Sequence, residues 1–377
     1  MRNRYSEAME AAQARGSGLL DLTASNPTAV GLVYDADAIL KALADPRGLT
    51  YEPASMGMRV GREAIASYYG EQGIGCDPER VVLTVSTSEA YTYCFRLLCD
   101  PGDEVLVPAP SYPLFEFLAD IQDVRLVPYE LVYDHGWQIE FESLRQAITP
   151  RSRAIMVVHP NNPTGHYTKG WEVERLNTLC TEHELAIVAD EVFLDYPLEE
   201  GPTVSFAENR GALTFTLSGL SKISGLPQMK AAWIVVSGPE TLAKEALARL
   251  DVIADTYLSP NAPIQWALPA LLASRKGVQE QLKKRTSSNL RELDRQFAEQ
   301  HLLERLRVEG GWYAVLRVPV TRSDEELAIE LLEYESVLVH PGHFFNFAGD
   351  GYLVVSLIAP VEEFGTGINR IVRHLQR

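Results

Sequence analysis

Cysteine is scarce in this chain, long apolar runs are absent, and basic residues are outnumbered; each shortage removes a class of function. The 377 residues hold only four cysteines, Cys76, Cys94, Cys99 and Cys180, and no two form a C-x-x-C pair. Cys94 and Cys99 fall in an apolar helical run and read as packed thiols. A cytoplasmic protein with reduced thiols and no metal is expected. No stretch approaches ~18 uninterrupted apolar residues, so no membrane span is expected. The opening residues, Met1-Arg-Asn-Arg-Tyr-Ser-Glu-Ala-Met9, lack the apolar core of a signal peptide. Lysine and arginine number 34 against 51 aspartates and glutamates, which argues against nucleic acid as a partner, because phosphate backbones need a basic face. Internal repeats and low-complexity runs are also missing.

The length exceeds the ~250–300 residues at which one core stops growing, so two domains are expected. Strands and helices alternate through residues 81–236, which implies α/β architecture with a mostly parallel sheet and crossover helices. Helices are read at 6–16, 62–69, 141–147, 171–183 and 240–254, with a long helical region over 264–301. A small α+β region closes the chain, with strands at Trp312–Val318, Val337–His340 and Tyr352–Leu357, a helix at Asp324–Glu333 and a final helix.

The stretch with most chemistry is Ser218-Gly-Leu-Ser-Lys-Ile-Ser-Gly-Leu-Pro-Gln-Met-Lys230. The apolar strand Leu213–Leu217 runs through small hydroxylated residues to Lys222, with glycine and proline close behind. The spacing places Lys222 on a turn at a strand end, where partial desolvation can release its proton and make it a nucleophile toward carbonyls. Taken alone, a lysine near a turn reads as solvated surface. Upstream lie two further strand ends: Ala154–His159 running into Pro160-Asn-Asn-Pro-Thr-Gly165, and Leu185-Ala-Ile-Val-Ala-Asp190. Asn162 sits at a position where open α/β sheets bind ligands, although Asn-Pro-Thr-Gly is also ordinary turn chemistry. An acid at the end of an apolar strand, as at Asp190, is costly unless it is paired. A short strand, Val81–Val85, feeds a helix that opens Ser86-Thr-Ser88. This is either a plain N-cap or an anion site built from free N–H groups and the helix dipole. Tyr112, in Pro108-Ala-Pro-Ser-Tyr-Pro113, and Tyr51 read as loop aromatics from the residues alone.

The ordered set Asn162, Asp190, Lys222 resembles the fold-type I pyridoxal-phosphate enzymes, and among them the class I and II aminotransferases, over essentially the whole chain. The resemblance implies the fold of those transferases: a large domain at 45–265 with a mostly parallel sheet flanked by helices, and a small α+β domain from 1–44 together with 266–377. It implies pyridoxal 5'-phosphate as cofactor, bound as a Schiff base to Lys222, which then acts as catalytic base and acid. Asp190 would partner the ring nitrogen and Asn162 the ring's 3′ oxygen, while Tyr112 stacks on the ring. Thr87, Ser88 and Lys230 would hold the phosphate, and Tyr51 would reach the phosphate of the other subunit in a homodimer. An amino donor and a keto-acid acceptor would react by ping-pong transfer.

Three positions depart from the family pattern. Phe193 replaces a tyrosine, Lys230 an arginine, and Val354 the arginine that usually clamps the substrate carboxylate. Either another base such as Arg59 or Arg317 takes that last role, or the substrate is not a common α-amino acid. His343 reads as a satisfied loop histidine or as a pocket residue. Phe193 and Val354 keep open a second reaction class on the same scaffold, a lyase, decarboxylase or oxidase.

Overall fold

The computed structural model describes residues 4–15, 18–201, 204–258, 260–298 and 300–377. Three sheets organise the described residues. Strand β1 (Leu20–Asp21) stands apart, while β2 (Val81–Thr84), β3 (Glu104–Ala109), β4 (Arg125–Tyr133), β5 (Trp137–Ile139), β6 (Ser152–Val158), β7 (Ala186–Asp190), β8 (Thr214–Gly219) and β9 (Ala232–Ser237) form one sheet. Its order is β2-β9-β8-β7-β6-β3-β4-β5. Strands β8, β7, β6, β3 and β4 are parallel neighbours, as the alternation implies, and β5 and β9 join antiparallel.

One consequence of this order was not legible in the alternation. Because β9 opposes both β8 and β2, two reversals return β2 to the direction of the parallel strands. The carboxyl ends of β2, β3, β6, β7 and β8 therefore lie along one edge. Helices cover both faces, so β6 to β8 are apolar nearly throughout; Ile155, Ile187, Val188 and Phe215 are fully buried.

The remaining strands are β10 (Glu304–Arg305), β11 (Tyr313–Arg317), β12 (Val337–Leu338), β13 (His340–Pro341) and β14 (Tyr352–Ser356). They form the antiparallel sheet β10-β11-β14-β13, while β12 pairs with β1. The strand expected at 337–340 is thus split, because Val337 and Leu338 bond to the N-terminal segment and His340 turns to face Val354 on β14. The pleat divides this sheet's residues cleanly. Tyr313, Val315 and Val354 pack into the core under the large sheet. Ala314, Leu316, Leu353 and Val355 pack on the other side against the helices Asp324–Tyr334 and Val361–Leu375.

Most helices lie where periodicity places them, including Phe141–Ala147, Gly170–His183 and Glu240–Tyr257. The long region near 264–301 is two helices, Ala262–Ala273 and Arg275–Phe297, joined at Ser274. The first helix runs Arg4–Arg15; the expected extension to Gly16, the opening Met1-Arg-Asn3 and Ser259 in the expected loop after Tyr257 lie outside the described residues. Lys222 also differs from expectation, since it sits on a single helical turn, Leu220–Ile223, rather than in an open turn.

Gly165, at the end of the Asn-Pro-Thr-Gly turn, packs against the Val308–Gly310 segment that leads into β11. Its φ is +73°, and a Cβ would collide with Val308 Cγ2 and the Gly310 carbonyl. Gly165→Ala adds left-handed strain to overpacking, so an unfolding free-energy loss of about 2–5 kcal/mol is expected. Urea denaturation measures it; an unchanged midpoint would mean that the two segments can separate freely.

Candidate active site

The edge where the parallel strands end opens onto a cavity of about 280 Å³. Five of the residues singled out from the sequence line it together: Thr87 after β2, Tyr112 after β3, Asn162 after β6, Asp190 closing β7 and Lys222 after β8. No two are adjacent in sequence. Parallel strands bring them together because each strand delivers its following loop to the same edge.

Asp190 is buried, and its carboxylate accepts hydrogen bonds from Tyr91 Oη at 2.8 Å and the Val192 N–H at 3.0 Å. Burial raises its pKa; those bonds and the Lys222 charge act the other way without cancelling it. Tyr91 follows Thr87 by four residues on the helix Thr87–Leu98, so both project from one helix face. That spacing was the available signal for Tyr91, and sequence reasoning passed over it.

Lys222 donates from Nζ to the Ser25 carbonyl at 3.3 Å. Its ammonium lies 5.0 Å from the ring centre of Trp312 and 5.6 Å from that of Phe193. Burial brings its pKa down to about 8, opposed by the Asp190 carboxylate. A lysine so placed is substantially neutral just above physiological pH, as a base or nucleophile requires.

The Asn162 loop is fixed from behind. The Gly165 N–H donates to the Asn161 carbonyl at 2.7 Å and the Asn161 N–H to the His166 carbonyl at 2.9 Å. His159 donates from Nε2 to the Val204 carbonyl at 2.7 Å, and its Nδ1 accepts the Thr168 N–H at 3.0 Å. Burial pushes His159 down to about 4, so the ring is neutral and this tautomer satisfies both nitrogens. Its backbone N–H donates to the Asp190 carbonyl at 2.7 Å, tying the two strand ends together. By contrast Asn162 is buried with its side-chain oxygen unpartnered among the described residues. A buried polar atom without a partner is uncommon in a purely structural core.

At the cavity's other end, Ser86 caps the helix Thr87–Leu98 by accepting the Glu89 N–H at 3.2 Å, and the Glu89 carboxylate accepts the Val85 N–H at 2.7 Å. The remaining first-turn N–H groups carry the positive end of the helix dipole. Ser88 is exposed. Lys230, exposed and in a left-handed conformation, acts on Glu89 through space, which puts its charge near this helix start. Neither Ser88 nor Lys230 lines the cavity, and neither does Tyr51, which is 76% exposed.

Phe193 lines the cavity. Val354 is buried in the core beside it. Arg59 pairs with Glu63 and Glu79, and Arg317 with Glu304, and neither guanidinium lines the cavity. His343 does not line it either, but His340, three residues earlier in the same motif, does. Ser25, Ser221, Tyr313, Phe344 and Phe345 complete much of the wall. Tyr313 carried no local signal, because its place depends on how the antiparallel sheet docks.

Next to Asp190, Glu191 is fully enclosed; it accepts from the Phe206 N–H at 2.6 Å and from Ser205 Oγ at 2.8 Å. Burial pushes its carboxyl up to about 8. A carboxyl raised on folding favours the protonated folded state, so its stability contribution declines as pH rises from the unfolded value near ~4.3 toward 8. Glu191→Gln should therefore raise Tm, with a gain that widens from about pH 5 to about pH 8; a gain independent of pH would refute the assignment.

The family model for aminotransferases of class I and II matches residues 18–363. The glutamate-pyruvate aminotransferase AlaA of Haemophilus influenzae is 26% identical over 373 residues, covering 96% of this chain and 91% of the relative. An alanine aminotransferase of Mycobacterium tuberculosis is 28% identical, over 95% and 86%. The solved structure of an alanine aminotransferase from Pyrococcus furiosus superposes with a TM-score of 0.89 over the full length of both chains at 24% identity, which establishes the fold. The edge cavity with its strand-end Asn, Asp and Lys, the fold around it and the match over 18–363 agree: this chain belongs to the class I and II aminotransferases, pyridoxal-phosphate enzymes of fold type I.

Proposed function

We propose that this aminotransferase uses Lys222 to move an amino group from an amino acid to a keto acid, with pyridoxal phosphate held in the cavity described above. The observation that carries this reading is the convergence of Lys222, Asp190 and Asn162 on one cavity. The residues fit that group. The Asp190 carboxylate presents negative charge to a protonated ring nitrogen, which relieves the cost of its own burial. The Asn162 side-chain nitrogen would donate to the ring oxygen, and Tyr112 would supply a flat aromatic surface. Thr87 and Ser88 at the helix start, with the Lys230 charge close by, meet the phosphate. When bound, the cofactor supplies an electron-withdrawing ring that lets a substrate Cα–H bond give up its proton. Lys222 Nζ takes that proton and returns it, and the surrounding Phe193, Tyr313, Phe344 and Phe345 limit access of water.

We further propose a cytoplasmic homodimer with the domain division 45–265 and 1–44 plus 266–377. Support for the dimer comes from the segment that carries Tyr51, where Val33, Leu40 and Leu49 are exposed as well. Support for the cytoplasm comes from four free thiols, two of them buried.

Purified protein is loaded with pyridoxal phosphate, mixed with a panel of amino acids in a single turnover, and its products are identified by mass. One equivalent of keto acid with aminated cofactor is expected. Release of carbon dioxide or of a side-chain fragment would replace this reading with the decarboxylase or lyase that Phe193 and Val354 leave open.

A further inference from the structure

The cavity has one wall that the cofactor-facing residues do not account for. It is formed by Ser25, Tyr313, His340, Phe344 and Phe345. Among the described residues Lys222 is the only lysine or arginine lining the cavity, so this wall carries no permanent positive charge among them. An amino acid nevertheless brings a carboxylate, and a carboxylate moved into such a pocket without a cation or several donors costs several kcal/mol.

One side chain in that wall can acquire the missing charge. His340 lies directly opposite Val354 across the β13–β14 pair, and Val354 lies opposite Val315 on β11. Directly opposed residues project to the same face of a sheet. The imidazole is thus carried on the face of Tyr313 and Val354, which is the side that meets the cavity. Its Nδ1 is buried without a partner among the described residues, and its ring is flanked edge-on or tilted by Phe344 and Phe345 at 6.1 and 5.6 Å. A buried imidazole nitrogen with nothing to bond is anomalous in a finished core. In a ligand pocket it is a recognition group.

We propose that His340 receives the substrate carboxylate and takes up a proton from solvent as it does so, so that the pocket creates its cation only when an acid enters. The proposal rests on the aminotransferase reading above. The other titratable groups around this wall, among the described residues, are Asp21 on β1, Tyr5 on the first helix, Tyr313 on β11, His343 on the following turn, and Lys222, Asp190 and Tyr112 on the opposite wall. Of these, Asp21 acts on His340 and favours its charged form, but burial prevails and holds the free imidazole down at about 4. Tyr5 is committed to the Val339 carbonyl at 2.6 Å. A carboxylate within hydrogen-bonding reach raises a histidine pKa by about 1–3 units. The bound imidazole then titrates at about 5–7, so net proton uptake on binding falls between about pH 4 and about pH 7.

The test uses the protein loaded with pyridoxal phosphate, with capture of the cofactor confirmed first by its visible absorbance. Propionate and the neutral propionamide are then titrated calorimetrically in buffers of different ionisation enthalpy. At about pH 6 propionate should bind with uptake of a fraction of a proton, and its affinity should fall by up to about tenfold per unit as pH rises from about 6 to about 7, levelling above that. Propionamide should show neither effect. His340→Gln keeps a hydrogen-bonding side chain but cannot become charged. It should abolish the uptake and raise KM for amino acids more than it lowers kcat, with cofactor capture unchanged. His340→Asn serves if the glutamine variant folds poorly. Propionate binding without proton uptake in the unmodified protein overturns the proposal, as does uptake that persists in the His340 variants and so belongs to Lys222. Failure to capture the cofactor at all would sink the aminotransferase reading itself, and is seen before any carboxylate is added.

Discussion

Lys222→Met should abolish turnover while making the protein more stable. The side chain is held against Trp312 and Phe193 with one hydrogen bond, to the Ser25 carbonyl. Loss of a proton-transfer group lowers rates by about 10²–10⁴-fold, so single-turnover formation of keto acid should fall at least that far. Stability moves the other way. The folded pKa of about 8 lies below the unfolded value near 10.5, so burial penalises the charged lysine fully below about pH 8. That penalty is relieved as pH rises from about 8 to about 10.5. Methionine has similar length and no charge, and should add on the order of 1–3 kcal/mol near neutral pH. The gain should shrink across that upper window. Calorimetric melts of both proteins at several pH values measure it. A variant that retains turnover, or that is destabilised at every pH, would remove Lys222 from the centre of the site.

The second large effect is expected at Asp190. Asp190→Asn preserves an acceptor for Tyr91 or for the Val192 N–H but removes the charge. Burial holds the folded carboxyl above its unfolded value. The native charge therefore costs stability progressively as pH rises through the window between the two, and the asparagine variant should melt higher at pH 7 without cofactor. With pyridoxal phosphate the order should reverse. Ligand binding to the folded state raises Tm in proportion to its affinity, and the variant has lost the partner of the ring nitrogen. Turnover should drop by about 10²–10³-fold, the range seen when one fixed electrostatic partner of a transition state is deleted. Equal cofactor-induced shifts in Tm for the two proteins would exclude Asp190 as that partner.

The site is built at the expense of the fold's stability. Lys222, Asp190 and Glu191 are each shifted in the direction burial dictates, toward the neutral form. Lys222 and Asp190 line the cavity, and perturbed groups in a cleft mark function more often than structure.

How much of this was legible varies by residue, for physical reasons. Thr87, Asn162, Asp190 and Lys222 could be placed at strand ends because an apolar run leads into each, whereas Tyr112 read only as a loop aromatic, and the resemblance to the family is what joined the five into one site. The parallel sheet then makes "end of strand" equivalent to "edge of cavity". Lys230 and Tyr51 stood out by motif position, but a single chain leaves both on the surface. Their proposed roles require a bound phosphate and a second subunit. His343 was singled out instead of His340 because both stand in one loop motif. Only the strand pairing reveals which of them faces inward.

The sequence by itself determined the local elements, the α/β alternation and the strand-end side chains, since these depend on periodicity and on residues a few positions apart. Tertiary structure decided the rest. The double reversal through β9 that aligns Thr87 with the other strand ends, the splitting of residues 337–341 between two sheets, and the wall of Ser25, Tyr313 and His340 are all set by contacts between distant segments. Register and docking follow from which faces can be buried together, and no short window of sequence contains that information.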